Sequence, residues 1–229
     1  MFRGKKYKKA VELVNNELGY SVVDSIELLE KTNTVKFDPS VEVHFNLNLD
    51  PKYADQMIRT TITLPNGTGK TSKICVFTDA GQEKELMRAG AARVGDSELV
   101  EQIAKWEVAL DFDVCVASPA MMRQLGKIAK VLGPKGLMPN PKTGTVWDDL
   151  LGIVKEIANW KFEFKTDKQW NIHSTFGKLS FGKDKLSENL KYFLNTINEV
   201  KPSGAKGKYI NTIFVCNAMG PSIKLDLTK

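Results

Sequence analysis

The sequence predicts a mixed α/β protein of two domains, one of which interrupts the other. Three observations support this prediction. Strands at both ends of the chain alternate apolar and polar residues, which is typical of a sheet with one exposed face. The middle of the chain contains short, continuously apolar strands that alternate with helices, which is typical of a parallel sheet covered on both faces. A glycine-rich turn at residues 64–70 separates these two patterns.

The first part of the chain is predicted to contain two short helices and two half-polar strands. The helices cover residues 7–16 and 22–31, and Ser21 is the expected N-cap of the second helix. The strands cover residues 41–49 and 58–64. Their polar faces carry Glu42, His44, Asn46, Arg59, Thr61 and Thr63.

The middle part is predicted to form a three-layer, Rossmann-like α/β domain. Residues 74–77 and 114–117 are continuously apolar and are predicted to be strands of a parallel sheet. Ser118 and Pro119 have the pattern of an N-cap followed by the first residue of a helix. Helices are predicted at residues 83–89, 98–106, 119–132 and 148–158.

The last part returns to half-polar strands. These are predicted at residues 161–165, 171–176 and 209–218, with a helix at residues 185–200. Because both ends of the chain share one pattern, we predict a discontinuous two-layer α+β domain, residues 1–66 plus 159–229, interrupted by an inserted domain, residues 67–158. The two chain crossings would form a hinge.

The segment from Leu132 to Val146 is the most unusual part of the predicted inserted domain. It contains three prolines and three glycines, so neither a helix nor a strand can continue through it. At about 15 residues it is longer than most surface connections, and we interpret it as a preshaped cationic surface for a polyanion. A plain connection between two helices is the alternative. Residues 123–146 contain no acidic residue and five basic ones, Arg123, Lys127, Lys130, Lys135 and Lys142.

Charge is distributed unevenly along a mildly basic chain. The 33 Lys and Arg residues exceed the 27 Asp and Glu residues and give a net charge of +6, with a pI near 9.1. This balance favours nucleic acid or another acidic partner. Residues 82–113 contain eight acidic and four basic residues. The inserted domain is therefore predicted to have one acidic side and one cationic tip, and a polyanion should meet the tip.

The cysteines and histidines do not predict a metal site. Cys75, Cys115 and Cys216 are widely spaced, and His44 and His173 are far apart in the sequence. Neither a disulfide framework nor a zinc site is predicted, and free thiols indicate a reducing compartment. Cys75 and Cys115 lie in apolar runs and are expected in the core. Because no apolar run reaches roughly 18 residues and no secretory signal begins the chain, we expect a mature cytosolic protein with no membrane partner.

The sequence contains no recognisable catalytic constellation. Residues 67–71 are similar to part of a phosphate-binding loop, but Leu64 stands where that motif requires its first glycine. We interpret the segment as a turn at a domain crossing, and an NTPase that uses this turn is the alternative. Asp111 and Asp113 flank the start of a strand, and Asp148 and Asp149 favour a helix N-terminus. The protein is therefore predicted not to be an enzyme and to need no cofactor.

The polar faces of the first two strands have the chemistry of an RNA surface. Their side chains offer hydrogen-bond donors and acceptors, and Lys36 and Phe37 add a cation and an aromatic ring just before the first strand. Such groups bind 2′-hydroxyls and stack on bases. A solvated sheet face is the alternative.

Four segments carry a family resemblance. They are residues 36–44, 64–70, 132–145 and 219–221. In this order they are similar to the bacterial form of the large-subunit ribosomal protein one family, and the proline-rich segment is the most specific. The resemblance implies a two-domain protein that binds large-subunit ribosomal RNA in the mobile stalk beside the tRNA exit site. It also implies a monomer within the cytoplasmic ribosome that assists release of deacylated tRNA, contacts exit-site tRNA and can repress its own operon mRNA.

The resemblance also implies which residues contact RNA. In the discontinuous domain these are Lys36, Phe37, Ser40, Glu42, Thr212, Met219 and Gly220. In the inserted domain Lys135 and Lys142 should provide a second contact. Two residues depart from the family pattern. Ala218 stands where the family usually has threonine, which puts that one RNA contact in doubt, and Trp170 stands where a smaller residue is common.

Overall fold

The computed structural model describes residues 4–15, 17–49, 56–79, 81–105, 109–158, 161–202, 204–205 and 207–226. The chain divides into two compact units. We call residues 1–69 with 163–229 the split unit, and residues 70–162 the inserted unit. The predicted crossings, after residues 66 and 158, lie close to the boundaries between these units.

The described helices and strands have the following bounds in chain order: α1 Lys5–Glu12, α2 Val22–Lys31, β1 Ser40–Leu47, β2 Arg59–Thr63, β3 Ile74–Phe77, α3 Glu83–Ala89, β4 Ala91–Gly95, α4 Ser97–Ala104, β5 Val114–Ala117, α5 Met122–Leu125, α6 Ala129–Leu132, α7 Leu150–Ala158, β6 Lys161–Lys165, β7 Asn171–Lys178, α8 Lys183–Glu199, β8 Ile210–Asn217 and β9 Ser222–Leu225. Short 3₁₀ helices occur at Gly126–Ile128, Pro141–Thr143 and Leu179–Phe181.

The split unit is built on a four-stranded sheet in the order β7-β1-β8-β9. All three neighbouring pairs are antiparallel. Alternate residues of β1 are buried, and Phe45 stacks on Phe193 of α8 with ring centroids 5.6 Å apart. Asn217 at the end of β8 donates its side-chain N–H to the Leu29 carbonyl of α2. The two helices therefore lie on one face of the sheet, which we call the inner face, and form the second layer.

The inserted unit has three layers, as the sequence predicts. Its parallel sheet has the order β4-β3-β5. Cys75 and Phe77 enter an apolar cluster with residues of α4, α5 and α6. Ile74 and Val76, the alternate residues of the same strand, enter a second cluster with residues of α3 and α7. Burial on both faces explains why these strands are continuously apolar. Cys115 is buried beside Cys75, so the prediction that both are core residues is confirmed.

Two strands were missed in the sequence, and one predicted helix is wrong as a single element. β4 contains two alanines and a glycine, and β9 has only four residues, so neither has a clear alternating or apolar run. The helix predicted at residues 119–132 is instead a series of short helical turns that starts at Met122. The helix predicted to end at Trp106 ends at Ala104, and Trp106 lies outside the described residues.

Helix caps agree with the sequence at two positions. Ser21 accepts a hydrogen bond from the backbone N–H of Asp24 through its hydroxyl oxygen, at 3.2 Å. Asp149, just before α7, accepts one from the backbone N–H of Gly152 at 3.0 Å. Each side chain satisfies a donor that the first turn of a helix leaves unpaired.

Candidate nucleic-acid interface

The strand register of the split unit collects polar side chains on the face of the sheet opposite to α2 and α8. We call this the outer face. Glu42 lies opposite Thr175 and Cys216, His44 opposite His173 and Phe214, and Asn46 opposite Asn171 and Thr212. All of these side chains are half-buried or exposed. The outer face is thus a row of amide, hydroxyl, imidazole, thiol and carboxylate groups that also includes the phenyl ring of Phe214.

A hydrogen-bonded chain crosses the centre of this face. The Nδ1 atoms of His44 and His173 are 2.8 Å apart. His44 Nε2 is 3.2 Å from the Cys216 sulfur, and His173 Nε2 is 3.5 Å from an Asp167 carboxylate oxygen. A carboxylate only accepts, so Asp167 favours a proton on Nε2 of His173. That tautomer leaves Nδ1 of His173 as an acceptor for His44.

Burial keeps His44 and Cys216 uncharged. It lowers the pKa of His44, and the nearby His173 lowers it further, while Glu42 acts in the opposite direction. Burial raises the pKa of the Cys216 thiol to about 11, with Glu42 contributing. At neutral pH the imidazole of His44 and the thiol of Cys216 are therefore neutral.

An amide network extends the outer face beyond the histidines. Asn46 donates to the Asn171 side-chain oxygen at 2.8 Å and accepts from the Asn211 side chain at 3.0 Å. Asn171 in turn donates to Asp167 at 3.4 Å. These bonds fix the side-chain orientations before any ligand binds, which reduces the entropy lost on binding.

At one end of the outer face, a loop and a turn meet. The backbone N–H of Ala218 donates to the Ser40 carbonyl at 2.9 Å, and Lys178 donates to the Ser40 hydroxyl at 2.9 Å. Phe37 is 56% exposed and Met219 is 76% exposed. Met219 also has φ of 66°, a left-handed conformation that costs a non-glycine residue of order 1 kcal/mol. Two large apolar side chains and two lysines, Lys36 and Lys178, thus belong to this end of the sheet.

The loop at residues 36–40 is held in place by its neighbours. Asp38 accepts from the backbone N–H of Ser180 at 3.1 Å and from its hydroxyl at 2.7 Å. The Pro39 carbonyl accepts from the backbone N–H of Leu179 at 3.1 Å. These hydrogen bonds hold the backbone of the loop next to the exposed Phe37 in a fixed position.

In the inserted unit, the segment 132–146 is closed by its own hydrogen bonds. Leu137 N–H donates to the Leu132 carbonyl at 3.0 Å. Thr145 accepts from the backbone N–H of Asn140 at 2.8 Å and donates to its carbonyl at 3.1 Å. Lys135 is exposed, whereas nothing is described of the Lys142 side chain. The tight internal bonding agrees with a preshaped loop.

Comparison with known protein families gives one match. The model of the Ribosomal protein L1p/L10e family matches residues 29–221, well over half of the chain. The chain belongs to this family. A member of the L1p/L10e family is a structural constituent of the large ribosomal subunit and binds ribosomal RNA. The resemblance noted in the sequence is therefore confirmed. In the described part of the chain, no helix combines the length and the apolar character that crossing a bilayer requires.

This L1p/L10e family chain brings most of the predicted RNA-binding residues together. One end of the outer face, with its bordering loop and turn, contains seven of these residues: Lys36, Phe37, Ser40, Glu42, Ala218, Met219 and Gly220. Thr212 lies on the same face, opposite Asn46 and farther along the strands. Lys135 and Lys142 lie in the inserted unit. Trp170, which departs from the family pattern, precedes β7 near Leu47, at the end of β1 away from Ser40.

Several outer-face residues were missed in the sequence: His173, Thr175, Lys178, Phe214 and Cys216. They belong to β7 and β8, which were predicted as strands. The strand period would have placed alternate residues on one face, but it could not indicate which strands are neighbours. Only the register shows that Cys216 lies opposite Glu42.

The glycine turn at residues 64–70 does not have the context of a phosphate-binding loop, which requires a helix directly after it. The structure describes all of residues 56–79, and in this range the turn is followed by strand β3 and not by a helix. The turn therefore connects strands β2 and β3. Lys70 donates to an Asp113 carboxylate oxygen at 2.8 Å. This hydrogen bond, followed by one from the Lys73 backbone, lowers the pKa of Asp113. Lys73 forms a similar ion pair with Asp111. Each of the two acids that flank the start of β5 is therefore paired with a lysine.

Proposed function

We propose that the outer face of the split unit, with the loop at residues 36–40 and the turn at residues 218–220, is the principal surface for ribosomal RNA. The observation that carries this proposal is the pair of exposed apolar side chains, Phe37 and Met219, at the end of a polar, hydrogen-bonded sheet face. Single-stranded and irregular RNA offers unstacked bases and 2′-hydroxyls, which need this combination of apolar and polar contacts.

Each group on this surface has a distinct role in the proposed contact. Phe37 and Met219 cover exposed bases. Lys36 and Lys178 bind phosphates, which also sets the salt dependence of binding. Ser40 and Glu42 accept hydrogen bonds from 2′-hydroxyls or base amino groups, and the contacts to 2′-hydroxyls distinguish RNA from DNA. The left-handed backbone at Met219 supports this role, because strained residues are maintained where function needs them.

We further propose that the loop 132–146 is a second RNA contact. Lys135 is exposed, and the fixed prolines and glycines limit the entropy lost on binding. Lys135 and Lys142 would contact phosphates rather than bases, so this contact should add affinity with little sequence selectivity.

Family membership supports a proposal for the finer roles. We propose that the protein occupies the mobile stalk near the tRNA exit site as a monomer, contacts exit-site tRNA there and assists release of the deacylated tRNA. We also propose that an mRNA segment with the fold of the ribosomal RNA site binds the same outer face. Because one face holds one RNA at a time, free protein in excess of ribosomal RNA would then repress its own operon mRNA.

Cross-linking in cells followed by sequencing of the bound RNA tests this proposal. We expect one dominant peak in large-subunit ribosomal RNA and a smaller one in the protein's own message. The Met219→Asp variant should lose both peaks. Met87→Asp is the matched control, because Met87 is similarly exposed at 52% but lies in α3 of the inserted unit. Scattered messages without a ribosomal RNA peak would contradict the proposed function.

A further inference from the structure

The centre of the outer face contains a second arrangement, in which Glu42 of the proposed RNA surface lies beside two residues without an assigned RNA role. Glu42, His44 and Cys216 each offer one ligand atom, and these atoms lie within 4.8 Å of one another. His44 Nε2 is 3.2 Å from the Cys216 sulfur and 3.8 Å from a Glu42 carboxylate oxygen. Among the residues that the structure describes, this is the one group of three such side chains with this geometry.

We propose that Glu42, His44 and Cys216 bind a thiophilic divalent metal ion of the zinc class. Zinc is held at about 2.3 Å by sulfur and about 2.0–2.2 Å by nitrogen and oxygen, in tetrahedral geometry. Those bond lengths place neighbouring ligands roughly 3.3–3.8 Å apart. The separation of 3.8 Å between His44 and Glu42 lies at the upper end of that range, and the separation of 3.2 Å between His44 and Cys216 lies just below it. Small side-chain movements would therefore complete the site.

The donor set decides which metal is favoured. One thiolate, one imidazole and one carboxylate are the ligands that zinc and neighbouring transition metals take, whereas magnesium and calcium prefer oxygen alone. On binding, the Cys216 thiol forms its bond to the metal as a thiolate and releases its proton to solvent. Three protein ligands on a half-exposed face leave the fourth tetrahedral position for water.

The hydrogen-bonded chain behind the cluster orients its imidazole. His173 Nδ1 lies 2.8 Å from His44 Nδ1, and an Asp167 carboxylate oxygen lies 3.5 Å from His173 Nε2. When His44 binds the metal through Nε2, its proton is on Nδ1 and is donated to His173. Such outer partners of metal-binding histidines fix ring orientation and raise ligand basicity. His173 is therefore a positioning residue for this site.

Cobalt titration of the RNA-free, full-length protein tests the metal site. Co²⁺ takes the same ligands as Zn²⁺, and a cobalt–thiolate bond absorbs in the near ultraviolet. We expect one equivalent of Co²⁺ to produce this band and Zn²⁺ to remove it. Cys216→Ser should abolish the band while Cys75 and Cys115 remain in place, and circular dichroism should show an unchanged fold. Because no RNA is present, the outcome is independent of the proposed function.

Two further variants distinguish the role of a metal ligand, Glu42, from the role of the positioning residue, His173. Glu42→Gln should weaken metal affinity at least about tenfold, and His173→Phe should weaken it about 10–100-fold while the thiolate band is retained at saturation. No thiolate band in the parent protein, or an unchanged band in Cys216→Ser, would overturn the proposal. Equal affinity in parent and His173→Phe would remove His173 from the site.

Discussion

The two faces of the four-stranded sheet use the same strands for different purposes. On β1, Val43 and Phe45 point to α2 and α8 and are buried, whereas Glu42 and His44 on the opposite face are half-buried. His44 is hydrogen-bonded to both neighbouring strands. The inner face contributes apolar burial, and the outer face contributes fixed polar groups. Along each strand, every second residue therefore contributes to stability, and the residues between them are available for recognition. Substitutions on the inner face should therefore change stability with little direct effect on RNA contacts, and substitutions on the outer face should change RNA binding with little effect on stability.

The largest expected effect is on the inner face. Phe45 is 1% exposed and stacks on Phe193, so Phe45→Ala should lower the free energy of unfolding of the split unit by about 3–5 kcal/mol. Urea denaturation followed by circular dichroism measures this change. Asn46→Ala on the outer face is the control and should cost about 1 kcal/mol. Equal losses in the two variants would contradict the division of roles.

The next largest effect is expected at the turn that borders the outer face, where a substitution should reduce RNA binding without reducing stability. Met219→Asp should weaken ribosomal RNA affinity at least about thirtyfold, roughly 2 kcal/mol, because a carboxylate would replace the apolar contact with a base and would be repelled by nearby phosphates. Aspartate tolerates the left-handed backbone at this position, so the free energy of unfolding should stay within about 0.5 kcal/mol. A filter-binding assay measures the affinity, and Met87→Asp is the matched control. Unchanged affinity in the Met219 variant would exclude the turn from the interface.

A smaller effect tests the departure from the family at Ala218. A threonine hydroxyl here could bind a ribose 2′-hydroxyl, and one neutral hydrogen bond contributes about 0.5–1.5 kcal/mol. Ala218→Thr should therefore tighten RNA binding by up to roughly tenfold. Ala218→Val has a similar shape without the hydroxyl and should not tighten it. If a water already satisfies the RNA group, both variants will bind like the parent.

The smallest effect concerns the inserted unit. If Lys135 contacts one phosphate, Lys135→Ala should reduce the slope of log K against log salt by about 0.7–0.9. Lys84→Ala is the control, because Lys84 is also exposed but lies in α3 between Glu83 and Glu85. Affinity measured at four salt concentrations gives both slopes. Equal slopes in the parent and the Lys135 variant would remove this lysine from the RNA contact.

The fold was largely predictable because its signals are local. Alternation in β1 and continuous apolar runs in β3 and β5 follow directly from one-sided and two-sided burial. β4 was missed because Ala91, Ala92 and Gly95 bury little surface, so its place at the sheet edge depends on pairing with β3. The helical turns after Pro119 are set by packing onto the sheet rather than by helix propensity.

The site was only partly predictable because its contacts are not local. Phe37 and Glu42 were found from the chemistry and family pattern of one continuous segment. The approach of Cys216 and His173 to His44 depends on the order β7-β1-β8, which spacing along the chain cannot show. The left-handed backbone of Met219 is likewise a property of the turn between β8 and β9.

The central claim is that the outer face and its bordering turn bind ribosomal RNA. Ultraviolet cross-linking of the full-length protein to large-subunit ribosomal RNA, with the linked peptides identified by mass spectrometry, tests it most directly. We expect cross-links at Phe37 and Met219, and these should be lost when excess specific RNA competes but not when an unrelated hairpin competes. Cross-links confined to α2, α8 or the inserted unit would contradict the claim.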